Sequence, residues 1–218
     1  MEEFYDEIYA DKNYEQECAF LKGLIEEIHP NAESLLDVAC GTGKHLEILQ
    51  NYFDVSGSDK NEKMLDIASK RTNASLHLGD MSDLRLGSKF DVIMCLFGSI
   101  GYLLSVGRLN QAVKKFAEHL NEDGVLILEP FAYPSWVEEK VLHRRVKDIE
   151  ITSRVTKQGN VCQLEKTFDM PSGVKNKIYK LAMFEHCEYE KALTEAGFCV
   201  KMSPCPEDFR ALYIGRKR

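Results

Sequence analysis

The chain has 218 residues, in which 28 lysines and arginines stand against 35 aspartates and glutamates, a formal charge of −7. This length fits one domain, with or without an insertion, and excludes two full enzymatic domains. The acidic balance argues against nucleic acid or an anionic membrane as a partner, so a small-molecule substrate is expected. No apolar stretch approaches the roughly 20 residues of a membrane span, and the acidic start Met1-Glu2-Glu3 is unlike a signal peptide, which favours a cytoplasmic protein.

Helices and strands alternate through the first 130 residues. Apolar residues from Cys18 to Ile28 recur at helical spacing, which predicts a helix over 14–27 that ends at His29-Pro30. Beyond it, short apolar runs predict strands and amphipathic stretches predict helices, and their alternation implies a parallel sheet covered on both faces. The predicted strands are 34–38, 53–58, 76–78, 90–96 and 124–129, and the helices between them are 44–52, 60–71 and 109–120.

The pattern changes after Glu129. Stretches of alternating polar and apolar residues, separated by turn signals such as Pro171-Ser172-Gly173, predict antiparallel strands. We therefore expect an α/β fold, a Rossmann-like doubly wound, mostly parallel seven-stranded sheet with an antiparallel β insertion after the fifth strand. The insertion strands are predicted at 143–145, 149–156, 162–170 and 175–183, followed by a helix over 189–196 and closing strands at 198–202 and 211–215.

Seven cysteines are scattered along the chain without a C-x-x-C pair. This pattern indicates neither a disulfide framework nor a zinc site, and no His/Asp cluster with metal-ligand spacing is present. We interpret the cysteines as reduced thiols, most of them acting as small apolar residues. They are Cys18, Cys40, Cys95, Cys162, Cys187, Cys199 and Cys205.

The strongest functional signal is a glycine turn after the first strand, Asp37-Val38-Ala39-Cys40-Gly41-Thr42-Gly43. Its glycines let the backbone turn tightly against a flat ligand, and the next helix offers its N–H groups, so a nucleoside is expected there. A dinucleotide fingerprint requires a third glycine, where this chain has Leu46. A Walker A loop requires a glycine at the position of Val38 and a hydroxyl residue at that of His45, so ATP hydrolysis is disfavoured.

Acidic residues follow the next two strands. Asp59, at the end of the second strand, can accept both ribose hydroxyls of a bound nucleoside. Gly79-Asp80-Met81, after the third strand, sets a carboxylate where it can meet an adenine amino group, with Met81 against the ring. Alone, either acid is better explained by a helix N-cap or a turn. On successive strand ends of one sheet, however, they converge on the crevice where open sheets bind ligands.

These motifs resemble those of the class I methyltransferases, and the resemblance covers residues 34–130. More narrowly, the chain is similar nearly end to end to the aminosugar N,N-dimethyltransferases that finish desosamine- and mycaminose-type nucleotide sugars. Between Pro130 and Met183 it is shorter than those enzymes, in the region that shapes their acceptor pocket. The matching segments are Tyr5-Asp6, Lys12-Asn13-Tyr14, Leu35 to Gly43, Gly79-Asp80-Met81, Phe97 to Leu103, Phe116 to Leu120, Glu129-Pro130, Glu188-Tyr189-Glu190 and Ala196-Gly197.

The resemblance implies S-adenosyl-L-methionine as the cofactor and a single domain in three parts. A lid helix and cofactor-binding core occupy 1–130, an insertion that shapes the acceptor pocket occupies 131–184, and a closing helix and strands occupy 185–218. The implied cofactor contacts are Tyr5, Tyr14, Asp37, Ala39, Cys40, Gly41, Gly43, Asp59, Lys60, Met64, Asp80, Met81, Leu96 and Phe97.

The chemistry of methyl transfer favours an amine acceptor. In-line displacement at a sulfonium carbon needs mainly alignment and the exclusion of water. A neutral amine attacks without a dedicated base, whereas a hydroxyl demands a strong base or a metal. The expected function is N-methylation of a small amine, with a nucleotide-linked aminosugar as first candidate. Methylation of another small metabolite at O or N, and a non-catalytic nucleoside-binding module, remain alternatives, and a monomer or a homodimer is expected.

Acceptor-side residues are expected after the fourth and fifth strands. Tyr102 and Ser99 receive orienting roles, since a tyrosine with an ordinary pKa of about 10 is a poor base. The tyrosines near the N-terminus either shield the sulfonium or pack the first helix onto the sheet. The candidate acceptor contacts are Tyr9, the aromatic residues Phe131, Tyr133 and Trp136, which line the pocket or belong to the core, and Arg154, which meets phosphate or lies on a solvated face.

Overall fold

The computed structural model describes residues 2–204 and 211–217. Through the fifth strand, the elements in chain order are α1 (Tyr5–Ile8), α2 (Tyr14–Ile28), β1 (Ser34–Val38), α3 (Lys44–Leu49), β2 (Asp54–Asp59), α4 (Glu62–Ala68), β3 (Ser75–Leu78), β4 (Phe90–Cys95), α5 (Val106–Glu118) and β5 (Leu120–Leu128). They are followed by β6 (Lys140–Val146), β7 (Ile149–Gln158), β8 (Val161–Met170), β9 (Gly173–Ala182), α6 (His186–Glu195), β10 (Phe198–Pro204) and β11 (Ala211–Lys217). Short 3-10 helices lie at Glu2–Phe4, Met81–Asp83, Ser99–Leu103 and Pro134–Trp136.

Seven strands form the main sheet in the order β10-β11-β5-β4-β1-β2-β3. All neighbouring pairs from β5 to β3 are parallel, while β11 is antiparallel to both β5 and β10. This confirms the predicted doubly wound, mostly parallel sheet. Because β1 lies next to both β2 and β4, the strand order reverses there, and a crevice opens at the carboxyl ends of β1 and β4.

Helices cover both faces of the main sheet. On one face, Leu21 and Ile25 of α2 are buried against the sheet with apolar residues of α3. On the other, Phe116 of α5 and Tyr189 of α6 are buried against β4 and β5. The apolar spacing in the sequence therefore corresponds to helix faces that exclude water from the sheet.

Two predicted helices are shorter in the structure. The helix predicted at 60–71 begins only at Glu62, since Asn61 donates its backbone N–H to the carboxylate of Asp59 at 2.8 Å and caps the helix with its side chain. The helix predicted at 44–52 ends at Leu49. Strand β5 begins four residues earlier than predicted, and its pairing with β4 shifts register between Phe90 and Val92.

Strands β6–β9 form a separate four-stranded antiparallel sheet, as predicted for the insertion. One face of this sheet buries Ile151 and Phe168 together with Ile8 of α1. Ile8 belongs to the N-terminal strap, the name used here for residues 2–12, which crosses from the four-stranded sheet to the crevice of the main sheet. The contact between the two sheets is thus partly made by a segment that precedes both in the chain.

Four cysteines, Cys18, Cys40, Cys95 and Cys162, have buried thiols, while Cys187 is exposed and Cys205 lies outside the described residues. Burial raises the pKa of the Cys18 thiol to about 12, which fits its interpretation as a small apolar residue. Across 2–204 and 211–217, no helix is both long and apolar enough to cross a membrane.

Asp91, at the start of β4, joins three strands. Its carboxylate accepts hydrogen bonds from the backbone N–H groups of Glu33 (3.0 Å) and Ser34 (2.9 Å) and from the side chain of Asn121 (2.8 Å). Partial burial opposes its ionisation, but these hydrogen bonds outweigh the burial and lower the pKa of Asp91 to about 2. The carboxylate therefore stabilises the pairing of β1, β4 and β5 as an anion.

Replacement of Asp91 by alanine is expected to lower the free energy of unfolding by about 2 kcal/mol at pH 7, because two backbone donors lose their acceptor. Urea unfolding measures this change. Since folding lowers the pKa of Asp91, its contribution is present above the unfolded value of about 3.9 and is lost as the pH falls toward about 2. The control is Asp66→Ala on the exposed side of α4, and equal stability of the two variants would contradict the assignment.

Candidate functional site

The glycine turn lies at the carboxyl end of β1, in the crevice of the main sheet. Three of its residues have left-handed backbone conformations, with φ of 61° at Ala39, 55° at Gly41 and 76° at Gly43. Gly43 also lies against α4, where an added Cβ would come within 3.0 Å of the Ala68 side chain. The turn therefore needs glycine both for its backbone angles and for its close approach to the next helix.

Asp59 holds the glycine turn from the neighbouring strand. Its carboxylate accepts the backbone N–H of Gly41 at 3.0 Å and that of Asn61 at 2.8 Å. A carboxylate offers about four acceptor positions, so hydrogen-bonding capacity remains for two hydroxyl groups. The same side chain lines the cavity described below.

Asp80 accepts more hydrogen bonds from the protein than Asp59 does. It caps the 3-10 helix Met81–Asp83 by accepting the backbone N–H of Ser82 at 2.9 Å, and both its oxygens lie 2.8 Å from Arg108 Nη2. Partial burial is outweighed by the contacts with Ser82 and Arg108, which lower the pKa of Asp80. The carboxylate therefore fixes the loop that carries Met81, and both residues face the cavity.

Two adjoining cavities fill the crevice, one of about 620 Å³ and one of about 40 Å³. Tyr5, Ala39, Gly41 and Ser99 line both, so the cavities form one connected site. Of the other predicted cofactor contacts, the structure brings Asp59, Lys60, Met64, Asp80 and Met81 to the large cavity, and Tyr14, Asp37, Cys40, Leu96 and Phe97 to the small one. Gly43 lines neither cavity and lies behind the turn, against α4.

Asp37 is a buried acid at the small cavity. Its side chain is 2% exposed, and its Oδ2 atom has no hydrogen-bond partner among the described residues. Burial raises the pKa of Asp37 to about 7, while the nearby His45 imidazole opposes that shift. An unpaired buried carboxylate oxygen beside a cavity fits an ammonium group, as the amino-acid portion of S-adenosylmethionine would supply.

Aromatic side chains close the crevice from the N-terminal strap. The ring of Tyr5 lies 4.8 Å from that of Tyr9, which meets the edge of Phe97 at 5.2 Å. Phe97 has a φ of 55°, and the buried Glu129 accepts its backbone N–H at 2.6 Å. Cations of this chain already lie near two of these rings, since Lys12 Nζ is 4.7 Å from the centre of Phe97 and Lys166 Nζ is 5.6 Å from that of Tyr9. Tyr5 is the strap tyrosine that lines both cavities.

Tyr102 and Ser99 line the large cavity from the 3-10 helix that follows β4. The Tyr102 side chain is 39% exposed, and burial together with the charge of Asp59 raises its pKa to about 12. Tyr102 is therefore a protonated hydroxyl at neutral pH, able to donate and accept hydrogen bonds but poorly suited to remove a proton. Lys60 Nζ lies 5.2 Å from the centre of its ring.

The structure does not bring the candidate acceptor contacts to the described cavities. Tyr9 packs beneath Tyr5, and Phe131 packs against Gly98, where an added Cβ would lie 2.8 Å from the Phe131 backbone. Tyr133 is buried, and its hydroxyl lies 2.7 Å from that of Tyr213. The rings of Trp136 and Tyr133 meet edge to face, with centroids 4.5 Å apart. Arg154 is exposed on β7, on the sheet face away from the strap. Tyr133 thus lies in the core, whereas Trp136 and Arg154 are exposed.

Strand β9 contributes the part of the large cavity that sequence reasoning missed. Lys177, Ile178, Tyr179 and Lys180 all line it, and Arg108 adds a cation from α5. Burial raises the pKa of Tyr179, so its hydroxyl is protonated. The alternating lysines of β9 are typical of a solvated edge strand, and only the long-range packing of the insertion on the main sheet brings them to the crevice.

Comparisons with known proteins identify the family of the chain. The family described as "Methyltransferase domain" matches residues 35–124. The chain is 38% identical to a dTDP-3-amino-3,4,6-trideoxy-alpha-D-glucopyranose N,N-dimethyltransferase of Streptomyces venezuelae, over 97% of this chain and 95% of the relative. It is 34% identical to a dTDP-3-amino-3,6-dideoxy-alpha-D-glucopyranose N,N-dimethyltransferase of Streptomyces fradiae, over 98% of this chain and 89% of the relative.

Solved structures of similar proteins share the whole architecture. The crystal structure of Streptomyces venezuelae DesVI has a TM-score of 0.90 and 36% identity, with 99% of this chain and 98% of that chain covered. CalS10, an S-adenosylmethionine-bound amino pentose methyltransferase from Micromonospora echinaspora, has a TM-score of 0.90 and 31% identity, with 98% and 96% covered. The chain therefore belongs to the S-adenosylmethionine-dependent methyltransferases, in the group of the aminosugar N,N-dimethyltransferases.

Proposed function

We propose that this enzyme methylates the amino group of a dTDP-linked aminosugar. The observation that carries the proposal is the continuity of the large cavity, which runs from Asp59 at the glycine turn to the lysines of β9. One end has the features of a nucleoside site, and the other is cationic. The relatives described above are N,N-dimethyltransferases of dTDP-linked aminosugars, which supports the same acceptor class here.

We assign the donor to the glycine-turn side of the cavity. When bound, S-adenosylmethionine supplies a methyl group already activated on a sulfonium. Asp59 would accept the ribose hydroxyls, Met64 and Met81 would flank the adenine, and Asp37 would meet the ammonium group. Tyr5, over both cavities, would exclude water from the reacting centre.

The acceptor would enter between Tyr102 and β9, so that the insertion at 131–184 forms one wall of its pocket. Lys177 and Lys180 carry the positive charge that a diphosphate needs, and they take the role that the sequence had offered to Arg154. Lys177 already pairs with Glu2 of the strap at 3.3 Å, whereas no ion pair of Lys180 is formed within the described residues. Lys180 is therefore the more direct phosphate contact.

An amine acceptor suits the groups at the cavity. The hydroxyls of Tyr102 and Tyr179 are protonated at neutral pH, because burial raises the pKa of both. They can hold an amino group in line with the donor methyl, but neither can readily deprotonate a sugar hydroxyl. The amine would lose its proton to solvent, and alignment would provide most of the rate enhancement.

Replacement of Asp59 by asparagine should raise the Kd for S-adenosylmethionine about 10- to 100-fold, because charged hydrogen bonds to the ribose are lost. Isothermal calorimetry measures the affinity for the donor and for its demethylated product. Asp54→Asn, at the exposed start of the same strand, is the matched control. Unchanged affinity in a folded Asp59→Asn variant would show that the ribose assignment is wrong.

Replacement of Tyr102 by phenylalanine should lower kcat/KM for the acceptor about fivefold, which corresponds to one neutral hydrogen bond of about 1 kcal/mol, and should leave the pH dependence of kcat unchanged. Steady-state kinetics across the pH range test this. The control is Tyr52→Phe, an exposed tyrosine outside the described cavities. A loss of about 100-fold or more with an altered pH profile would instead assign Tyr102 as a proton acceptor.

Incubation with S-adenosylmethionine and a dTDP-linked 3-amino- or 4-aminosugar should yield methylated amine, detected by mass spectrometry. The free aminosugar should be a poorer substrate, because it lacks the phosphates that the β9 lysines would bind. Lys180→Met should raise the KM for the nucleotide-linked acceptor about fivefold through loss of a charged contact. Arg154→Met should not.

Two results would contradict the acceptor assignment. Binding of S-adenosylmethionine without methylation of any dTDP-aminosugar would rule out this acceptor class while leaving the donor site intact. Equal effects of Lys180→Met and Arg154→Met would remove the specific role given to β9.

A further inference from the structure

Arg71 contacts three residues that are distant from it in the sequence. It lies in the turn that follows α4, and its Nη1 donates to the carbonyl of Thr42, in the glycine turn, at 2.6 Å. Its Nη2 donates to the carboxylate of Asp6, in the N-terminal strap. Its Nε lies 3.2 Å from a carboxylate oxygen of Glu47, in α3. The guanidinium is thus shared by the strap, the glycine turn and the helix after the turn.

Asp6 completes a closed set of contacts with the glycine turn. Besides pairing with Arg71, it accepts a hydrogen bond from the hydroxyl of Thr42 at 2.7 Å. Thr42 is buried, and the Arg71 side chain is only 16% exposed. Asp6, Arg71 and Thr42, called here the strap latch, therefore contact one another pairwise in a largely water-excluded position, where charged hydrogen bonds are strengthened.

The other contacts of the strap are mainly with the four-stranded sheet and with residues outside the glycine turn. Ile8 packs into the four-stranded sheet, and Arg144 of β6 donates to its carbonyl at 2.7 Å. Glu2 accepts from Lys177 of β9 and from Asn61, each at 3.3 Å. Among the described hydrogen bonds of the strap, the one to the glycine turn itself is made by Asp6, which accepts the Thr42 hydroxyl. The strap latch is accordingly the attachment of the strap to the glycine turn.

Tyr5 lies next to Asp6 in the strap and lines both cavities. A donor bound between the glycine turn and Tyr5 would be covered on one side by the strap, so displacement of the strap would ease its entry and exit. We propose that Arg71 is a positioning residue for the N-terminal strap: through the strap latch it holds Tyr5 beside the donor site and sets the rate of donor and product exchange. This inference rests on the proposed donor site.

The chemistry of the guanidinium explains why arginine is needed at this position. Its planar fork donates to the Thr42 carbonyl and the Asp6 carboxylate at the same time, whereas the ammonium of lysine is a compact point charge. Lysine at position 71 would keep the charge but could not span both partners in the same geometry. Asparagine at position 6 would keep an acceptor for the Thr42 hydroxyl and lose the ion pair. Both substitutions should weaken the strap latch, and both keep a polar side chain at the substituted position.

Stopped-flow displacement of S-adenosylhomocysteine measures the exchange rate directly. Asp6→Asn and Arg71→Lys should each increase its dissociation rate about tenfold and raise the KM for S-adenosylmethionine, while kcat at saturating donor should not fall by more than about twofold. Because the two residues act through one contact, the double variant should resemble the single variants and not their product. The controls are Glu118→Gln and Lys115→Met, which break a partly exposed ion pair on α5.

Stability is measured on the same samples by thermal unfolding. Dissociation rates and KM values equal to those of the parent, in variants whose melting temperature has fallen, would assign Arg71 a structural role alone and overturn the proposal. Multiplicative effects in the double variant would likewise show that Asp6 and Arg71 do not act as one latch. Failure of the parent protein to bind S-adenosylhomocysteine would instead contradict the donor site, and the inference with it.

Discussion

The conformation of the glycine turn is the constraint on which the site depends. Left-handed backbone angles at Ala39, Gly41 and Gly43 are held by charged side chains on opposite sides of the turn. Asp59 accepts the N–H of Gly41, and Arg71 donates to the carbonyl of Thr42. These contacts satisfy backbone groups that the tight turn leaves outside regular secondary structure. They come from β2 and the turn after α4, so the conformation of the glycine turn depends on elements outside the turn itself.

The N-terminal strap connects this turn to the acceptor side of the molecule. Asp6 contacts the glycine turn, Ile8 packs into the four-stranded sheet, and Glu2 pairs with Lys177 of β9. One short segment therefore touches both the proposed donor site and the proposed acceptor wall. Displacement of the strap would open both ends of the cavity together, which would couple loading of the enzyme to exclusion of water from the reacting centre.

Local sequence patterns were sufficient for the sheet and the donor side of the site. A strand followed by a glycine turn, and an acid at the next strand end, depend on neighbours in the chain, and the structure brings Gly41 and Asp59 to one cavity. The proposed acceptor side depends on packing between distant elements. Aromatic spacing could not reveal that Tyr133 pairs with Tyr213 in the core, nor could the polar alternation of β9 reveal that Lys177 and Lys180 line the large cavity. No sequence motif marks Arg71, because the three residues that it contacts are distant from it in the sequence.

The central claim is that donor and acceptor occupy opposite ends of one cavity, and a crystal structure with S-adenosylhomocysteine and dTDP tests it most directly. The account predicts density for the adenosyl group between Asp59 and Met81, with the amino-acid portion toward Asp37, and the diphosphate of dTDP beside Lys177 and Lys180 of β9. Density for the dTDP diphosphate at the Gly41 turn, with the adenosyl group absent from the crevice, would contradict it.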